Sequence, residues 1–515
     1  MLARTLCFAL VGIEGEAVTV EADVQSSNKF EFSLVGLPDA AVKESRERVF
    51  SAIKNSGFTP PYGHTTLNLS PADLRKEGTA FDLPIAVAIL IASRQIRAFE
   101  AEKVLMIGEL ALDGRLAPVQ GALSMVIAAR ERGIKQVILP QQNANEVLAV
   151  EGIEVYPSRS LYEVAQHLSG QATLMAQIQR SYLKCLQEQI IGTDMAQVKG
   201  QSGARRALEV AAAGGHNMLM VGVPGSGKTM LARCLPGILP LMTQEEAFET
   251  TRIYSVAGLL KPGNGLMTQR PFRTPHHSAS MAALIGGGAN ARPGEVSLAH
   301  NGVLFVDEMP EYPRNVLEAL RQPLEDGVTT VSRVRAHMQY LSRFMLVASM
   351  NPCPCGYYGS AVKPCRCGSH EIRKYLDRIS GPLLDRIDIQ VEVDAVPVEE
   401  ISTKSSAEDS RSVRERVVAA RAHQLQRFAG LGIRTNAQMD NKHLEQLALV
   451  RPETLKLLQK AIQSYGFSMR AYGRLIKVAR TIADLRSEEY IEIPAMAEAI
   501  QYRRIDAKYW GDAHA

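Results

Sequence analysis

The sequence predicts an α/β protein. A parallel sheet is built around a phosphate-binding glycine loop, a second α/β region precedes it, and an all-helical region follows. Three observations predict this. The run Gly222-Val-Pro-Gly-Ser-Gly-Lys-Thr229 follows an apolar strand, 219–221, and precedes a helix-like run, 230–235. Two more apolar runs, 303–307 and 345–349, have the length and composition of buried strands. Beyond residue 396 the apolar residues recur only at helical spacing, in 412–428, 442–449, 452–465, 469–485 and 494–503. Apolar strands separated by helices indicate a parallel sheet covered on both faces.

The elements fall in order. Residues 1–170 alternate strand-like runs (17–24, 30–35, 104–109, 136–139) with helix-like ones. In 40–56 the residues Val42, Val49 and Ile53 share a helical face, and 83–93 and 121–133 are the other helices. Residues 171–195 are rich in glutamine (Gln171, Gln177, Gln179, Gln187, Gln189) and predict a helical linker. The nucleotide-binding core then covers 196–396 and the helical region 397–515, with a polar hinge at 402–410. There are no internal repeats or low-complexity tracts.

Of the 515 residues, 46% are hydrophobic and 22% charged, the balance of a soluble globular protein. No apolar stretch reaches the roughly 18 residues of a membrane span, and residues 1–12 lack the basic start and apolar core of a signal peptide. The expectation is a cytoplasmic protein with no membrane partner. The net charge of +4 is uneven. Residues 1–170 carry 16 Lys and Arg against 20 Asp and Glu, net −4, and residues 411–515 carry 18 against 11, net +7. The acidic first third is a poor nucleic-acid surface and the basic last third a better one, although charges on helices are commonly just solvated faces.

The glycine loop fits G-x-x-x-x-G-K-[ST] in full, with Gly222, Pro224, Gly225, Ser226, Gly227, Lys228 and Thr229 as its nucleotide-binding residues. Its backbone N–H groups and the following helix N-terminus suit the phosphates of ATP. Lys228 reaches the β- and γ-phosphates and Thr229 holds Mg²⁺. About 80 residues later, Val303-Leu-Phe-Val-Asp307-Glu308 ends a buried strand in two acids. Asp307 suits Mg²⁺, and Glu308 suits orienting and deprotonating the attacking water. Together these motifs resemble AAA+ ATPases, in which the polar residue ending the next strand, here Asn351, touches the γ-phosphate and water. By the same resemblance Arg386, in Gly381-Pro-Leu-Leu-Asp-Arg386, suits an arginine finger. Arg470 in the helical lid suits a second arginine sensor, with Arg474 as its alternative.

Seven cysteines are present, and four of them crowd into Cys353-Pro-Cys355 and Cys365-Arg-Cys367. Clustered cysteines in a cytosolic chain predict a metal before a disulfide, and four thiolates suit a structural Zn²⁺. The C-x-C spacing is tighter than the usual C-x₂-C. Reduced free thiols and a redox-sensitive cluster are the alternatives.

Thr274-Pro-His-His-Ser-Ala-Ser280, Gly286-Gly-Gly, Arg292-Pro-Gly-Glu-Val-Ser-Leu-Ala-His-Asn-Gly302 and Asn351-Pro-Cys-Pro-Cys-Gly356 resemble the ComM/YifB proteins, magnesium-chelatase-like AAA+ ATPases, over nearly the whole chain. The resemblance implies a homohexameric DNA helicase promoting branch migration during integration of transforming DNA. Its substrates would be single-stranded and branched DNA, and its partners recombination proteins. It also places a pore hairpin at 325–340 and a second pore insert at 270–288. Arg333, Arg335 and Arg273 are then the DNA-binding candidates, with His276 and His277 near the start of the insert. A role in stabilising the ring or the hairpin itself is the alternative for each.

Residues 1–170 resemble the Lon protease domain at Gly108-Glu-Leu-Ala-Leu-Asp-Gly-Arg-Leu-Ala-Pro-Val-Gln-Gly121 and Gly133-Ile-Lys-Gln-Val-Ile-Leu-Pro140. Lon uses a Ser–Lys dyad. The alignment puts Ala80 at the nucleophile and Leu123 near the lysine position, so an inactive protease fold is expected, with Ser70, Ser124 and Lys76 as the remaining substitutes. The architecture implied is a P-loop AAA+ parallel-sheet core with an N-terminal Lon-protease-like α/β domain and a C-terminal all-α lid. Three other functions compete with the DNA motor: a chelatase-type motor acting on a protein or cofactor, an ATP-dependent protease, and a scaffold. The missing dyad argues against the protease, and the intact Lys228, Asp307 and Glu308 argue against the scaffold.

Overall fold

A computed structural model describes residues 1–510 except 26, 28–30, 98–99, 187–191, 262, 264, 289–290, 334–335, 361–362 and 397–407. The chain forms two compact units: Met1–Glu188 with Thr243–Thr268, and Gln189–Met242 with Gln269–Ala515.

The first unit holds β1 (Leu2–Val11), β2 (Glu14–Gln25), β3 (Glu31–Val35), β4 (His64–Ser70), β5 (Val104–Met106), β6 (Glu109–Leu110), β7 (Leu116–Ala117), β8 (Gln136–Pro140) and β9 (Glu154–Ser158). Seven of these form one mixed sheet in the order β3-β4-β2-β1-β5-β8-β9, and β6 and β7 form a separate ribbon. β1 and β2 pair antiparallel from Leu2↔Asp23 to Val11↔Glu14. Gly12 turns this hairpin at φ +63°, where glycine carries no Cβ penalty. The helix Ala40–Asn55 is capped by Asp39, which accepts from the Val42 N–H at 2.8 Å, and it buries Val42, Val49, Ala52 and Ile53. The helix Asp82–Ala92 is buried on every face. Its Asp82 is paired with both Nε and Nη2 of Arg48, at 2.7 and 3.0 Å.

The structure departs from the sequence reading in two places here. Residues 243–268 fall in the sequence stretch read as the nucleotide-binding core, yet they pack in the first unit. A capping box of Thr243 and Glu246 starts the helix Gln244–Val256. Ser255 then accepts from the Gly121 N–H at 2.8 Å, and Arg252 donates to the Ile13 carbonyl at 2.8 Å. The second departure is the glutamine-rich segment. Its described residues form only one short α-helix, Tyr182–Cys185. Before it the backbone is bonded into the first unit, Gln177 N to Val155 O and Arg180 N to Leu148 O. The Gln177 side chain donates to Ala144 O and that of Gln179 to Val150 O and Ile153 O. Glutamine amides that satisfy another segment's carbonyls favour an extended strap over a helix.

The second unit holds β10 (Met218–Gly222), β11 (Phe272–Arg273), β12 (Gly286–Gly287), β13 (Arg292–Pro293), β14 (Val303–Val306), β15 (Val328–Arg333), β16 (Ala336–Leu341), β17 (Met345–Met350) and β18 (Ile389–Val393). Five strands make a wholly parallel sheet in the order β11-β14-β17-β10-β18. β14 and β17 are buried at every residue, as expected for strands covered on both faces. Two hairpins, β12/β13 and β15/β16, stand apart from this sheet. The helical region comprises Ser410–Arg427, Asn441–Leu447, Pro452–Tyr465, Met469–Leu485, Ile493–Gln501 and Arg504–Trp510. Most of the predicted hinge at 402–410 lies outside the described residues. A buried network ties the lid to the sheet: His216 bonds Asp388 at 3.0 Å through Nδ1 and Thr481 at 2.8 Å through Nε2, and Arg474 reaches Asp388 at 3.1 Å. Among the described residues no helix is long and apolar enough to cross a membrane.

Candidate functional site

Three neighbouring strands build the site. β14, β17 and β10 lie side by side, and their C-terminal ends carry Asp307, Asn351 and the phosphate loop. Ligands of open parallel sheets bind at that edge. Gly222 ends β10, and a Cβ there would lie 2.2 Å from the Val393 carbonyl, so only glycine lets β18 pair this closely. Gly225 and Gly227 have φ of +78° and +91°, and a Cβ on either would meet nothing within 4 Å. The left-handed backbone selects glycine at both, and the loop is open on that side. The helix Lys228–Ile238 starts directly after Gly227.

Lys228 Nζ donates to the carbonyls of Gly222 at 2.7 Å and Val223 at 2.9 Å, and to Asn351 Oδ1 at 3.3 Å. Burial pulls its pKa below the ordinary lysine value, while the charges of Asp307 and Glu308 oppose that shift. Thr229 Oγ1 donates to Asp307 Oδ2 at 2.9 Å. Ser226 Oγ is buried with no partner, an orphaned polar atom inside the loop. Glu308 is exposed and holds φ +51°, a left-handed conformation that costs a non-glycine residue roughly 1–3 kcal/mol. Its N–H is held by Asp307 Oδ1 at 3.2 Å and Ser349 Oγ at 3.3 Å, and Ser349 Oγ also donates to Asp307 Oδ1.

Ser349 belongs to no motif, and sequence reasoning does not find it. Strand alternation two residues before Asn351 is the available signal. Tyr375 is a second addition. Its hydroxyl contacts the Asn351 backbone, and burial first, then the charges of Glu311 and Glu308, push its pKa above the usual range.

The arginines are distributed more widely. Arg386 is largely buried, donates to the Pro382 carbonyl at 2.8 Å and pairs with Glu325. Arg470 is exposed and pairs with Asp385 at 3.2 Å, one residue from Arg386. Its alternative, Arg474, is taken up by Asp388. Arg273 is held by both carboxylate oxygens of Glu295, each at 2.7 Å, which gives it a structural ion pair in this chain. Arg333 ends β15 opposite Ala336, and Arg335 lies outside the described residues. The two inserts touch: a Cβ on Gly286 would lie 3.1 Å from Val331 Cγ2, and just beyond the second insert the Ala291 carbonyl accepts from Tyr340 of β16 at 2.8 Å. His276 and His277 lie with ring centroids 4.1 Å apart and their planes tilted by 35°.

The four thiols converge. Cys353, Cys355, Cys365 and Cys367 place their sulfurs within 4.8 Å of one another. Three of the separations are 3.4, 3.6 and 3.7 Å. A tetrahedral ion with Zn–S bonds of about 2.3 Å needs sulfurs roughly 3.8 Å apart, so the residues fit that ion. Backbone N–H groups of Arg366 and Tyr357 point at Cys355 and bring its thiol down to about 6.

In the first unit, Ala80 and Leu123, the residues read against the Lon dyad in the sequence, are both buried. Two of the three substitutes have other partners. Lys76 donates to the Pro71 carbonyl, and Ser124 accepts from Arg252 Nε at 3.3 Å.

Comparison with known proteins decides the family. The competence protein ComM of Haemophilus influenzae is 44% identical over 507 residues, covering 98% of this chain and 97% of its own. The chain belongs to the ComM/YifB family. The protein YifB of Escherichia coli is 42% identical over 499 residues, 97% of this chain and 96% of its own length. The model of magnesium chelatase subunit ChlI matches residues 194–401, the model for subunit ChlI of Mg-chelatase matches 20–143, and the model of the ChlI C-terminal region matches 407–503. Lon protease 2 of Bacillus subtilis is 28% identical over 127 residues, 24% of this chain and 22% of its own. The family is AAA+ and magnesium-chelatase-like, which makes the parallel sheet of the second unit an ATPase core.

Proposed function

We propose that this ComM/YifB protein is an ATP-driven DNA translocase that works as a homohexamer. It would promote branch migration while transforming DNA is integrated by homologous recombination. The observation that carries the motor is the convergence of Lys228, Thr229, Asp307, Glu308 and Asn351 at the ends of three adjacent strands. What supports DNA as the substrate is the near full-length similarity to a protein named for competence, together with the two touching inserts.

In this reading the loop N–H groups and Lys228 bind the phosphates of ATP. Thr229 and Asp307 offer only oxygen donors, the set a hard cation takes, and would hold Mg²⁺. When bound, Mg²⁺ neutralises charge developing on the phosphate oxygens. Glu308 orients the attacking water and accepts its proton, while Asn351 holds the γ-phosphate end. Arg386 would act in trans once its partner Glu325 releases it, and Arg470 would sense the bound nucleotide from the lid. Arg333 and Arg335 would grip the DNA backbone. Zn²⁺ would occupy the four-cysteine site, and the Lon-like unit would have no peptidase activity.

A second reading, a chelatase-type motor acting on a protein or cofactor, rests on the chelatase models that match three segments of the chain. Gel-shift and unwinding assays on a branched DNA junction test the first reading. ATP-dependent displacement of the branch supports it, and stable ATP turnover with no effect on the junction moves the second forward.

A further inference from the structure

The cysteine site and the phosphate loop are in direct packing contact. Gly356 follows Cys355 at φ +85°, and its N–H closes a turn on the Cys353 carbonyl at 2.9 Å. A Cβ on Gly356 would lie 2.6 Å from both Cγ and Cδ of Pro224 and 3.9 Å from Cγ of Asn351. Pro224 belongs to the loop that cradles phosphate, and Asn351 is the residue Lys228 touches. Cys353 itself is fully buried, two residues after Asn351. The turn carrying the first two thiols is therefore also a wall of the nucleotide site.

We propose that a zinc ion held by Cys353, Cys355, Cys365 and Cys367 acts as a latch that fixes the Cys353–Gly356 turn against Pro224 and Asn351, so that metal occupancy sets nucleotide affinity. The physical basis is rigidity. The turn is closed by the Gly356 N–H on the Cys353 carbonyl and reached by the Arg366 N–H at Cys355, and cross-linking it through a metal to Cys365 and Cys367 further restricts its freedom to move away from the loop. A phosphate loop held in its binding conformation before ATP arrives loses less entropy on binding. Gly356 is then a positioning residue for ATP, acting through Pro224. The latch rests on the assignment of ATP to this loop, and the experiment separates the two.

The full-length protein is assayed for zinc by elemental analysis and for affinity by fluorescence titration with a methylanthraniloyl ATP analogue in Mg²⁺. It is compared before and after treatment with a nitrogen-donor zinc chelator that spares Mg²⁺, and with Gly356→Ala. The expected results are one zinc per chain, at least a tenfold weaker affinity after zinc removal, and a similar weakening in Gly356→Ala with its zinc retained. Zinc that leaves without changing affinity, with Gly356→Ala binding normally, overturns the latch and leaves the ATP site standing. Absence of zinc from the purified protein overturns its metal premise. Failure of the zinc-loaded wild type to bind the analogue overturns the ATP assignment itself. If far-UV circular dichroism shows that zinc removal unfolds the chain, Gly356→Ala decides alone, and normal affinity in that variant overturns the latch.

Discussion

Thr229 Oγ1 donates to Asp307 Oδ2 across 2.9 Å, which joins the first turn of the phosphate-loop helix to the end of β14. A hydroxyl and a carboxylate brought this close form the start of an oxygen-ligand set for Mg²⁺. Asp307→Asn keeps the shape and removes the charge. We predict that its ATP turnover needs at least about tenfold more Mg²⁺ for half-maximal rate, since a charged hydrogen bond contributes roughly 1.5–3 kcal/mol. A Mg²⁺ titration of the hydrolysis rate checks this.

Arg386 donates to Pro382 and pairs with Glu325 in the isolated chain. If it completes a neighbour's site, Arg386→Ala should bind the ATP analogue normally and lose turnover by roughly 10³–10⁵-fold. Mixing it with Lys228→Ala subunits should restore part of the activity in mixed rings, because each variant supplies what the other lacks. Normal turnover by Arg386→Ala excludes it as the finger.

Asp388 is buried. Burial alone would raise its pKa, but the His216 hydrogen bond and the charges of Arg474 and Lys477 hold it well below the ordinary carboxylate range. A depressed folded-state pKa gives stability that is complete above the unfolded value of about 3.9 and is lost as pH falls below it. Asp388→Asn should therefore cost about 3–5 kcal/mol at pH 7, the range for breaking one side of a buried pair. The gap to wild type should narrow below about pH 4. Urea unfolding at neutral pH and again below that threshold measures both.

Arg333→Ala combined with Arg335→Ala should weaken single-stranded DNA binding across all sequences. It should lower the slope of log affinity against log salt by roughly 0.7 for each phosphate that is no longer neutralised. Fluorescence anisotropy at several salt concentrations checks it, and an unchanged slope removes the hairpin from the DNA-binding surface.

The legible parts of this chain are those where local chemistry is specific. The phosphate loop, the acids after 303–306 and the helix Met469–Leu485 carry their signals within a few residues. The sheet edge that unites Gly222, Asp307 and Asn351 depends on strand order, which no local pattern encodes. Ser349 is illegible for that reason, since its role exists only because β17 lies beside β14. The helix Gln244–Val256 reads as part of the core because it follows the phosphate-loop helix in sequence. Ser255 and Arg252 instead find their partners at Gly121 and Ile13, more than 130 residues earlier. The strap at 171–181 reads as helix because glutamine favours helix in isolation, while the carbonyls of Ala144, Val150 and Ile153 take its amides as donors.

The most direct test of the central claim is ATP hydrolysis by the purified protein, alone and with single-stranded or branched DNA, with Glu308→Gln as control. The account predicts strong stimulation by DNA, and a Glu308→Gln variant that binds the ATP analogue but turns over roughly 10²–10⁴-fold more slowly. ATP turnover that is robust, dependent on Glu308 and indifferent to DNA would contradict it.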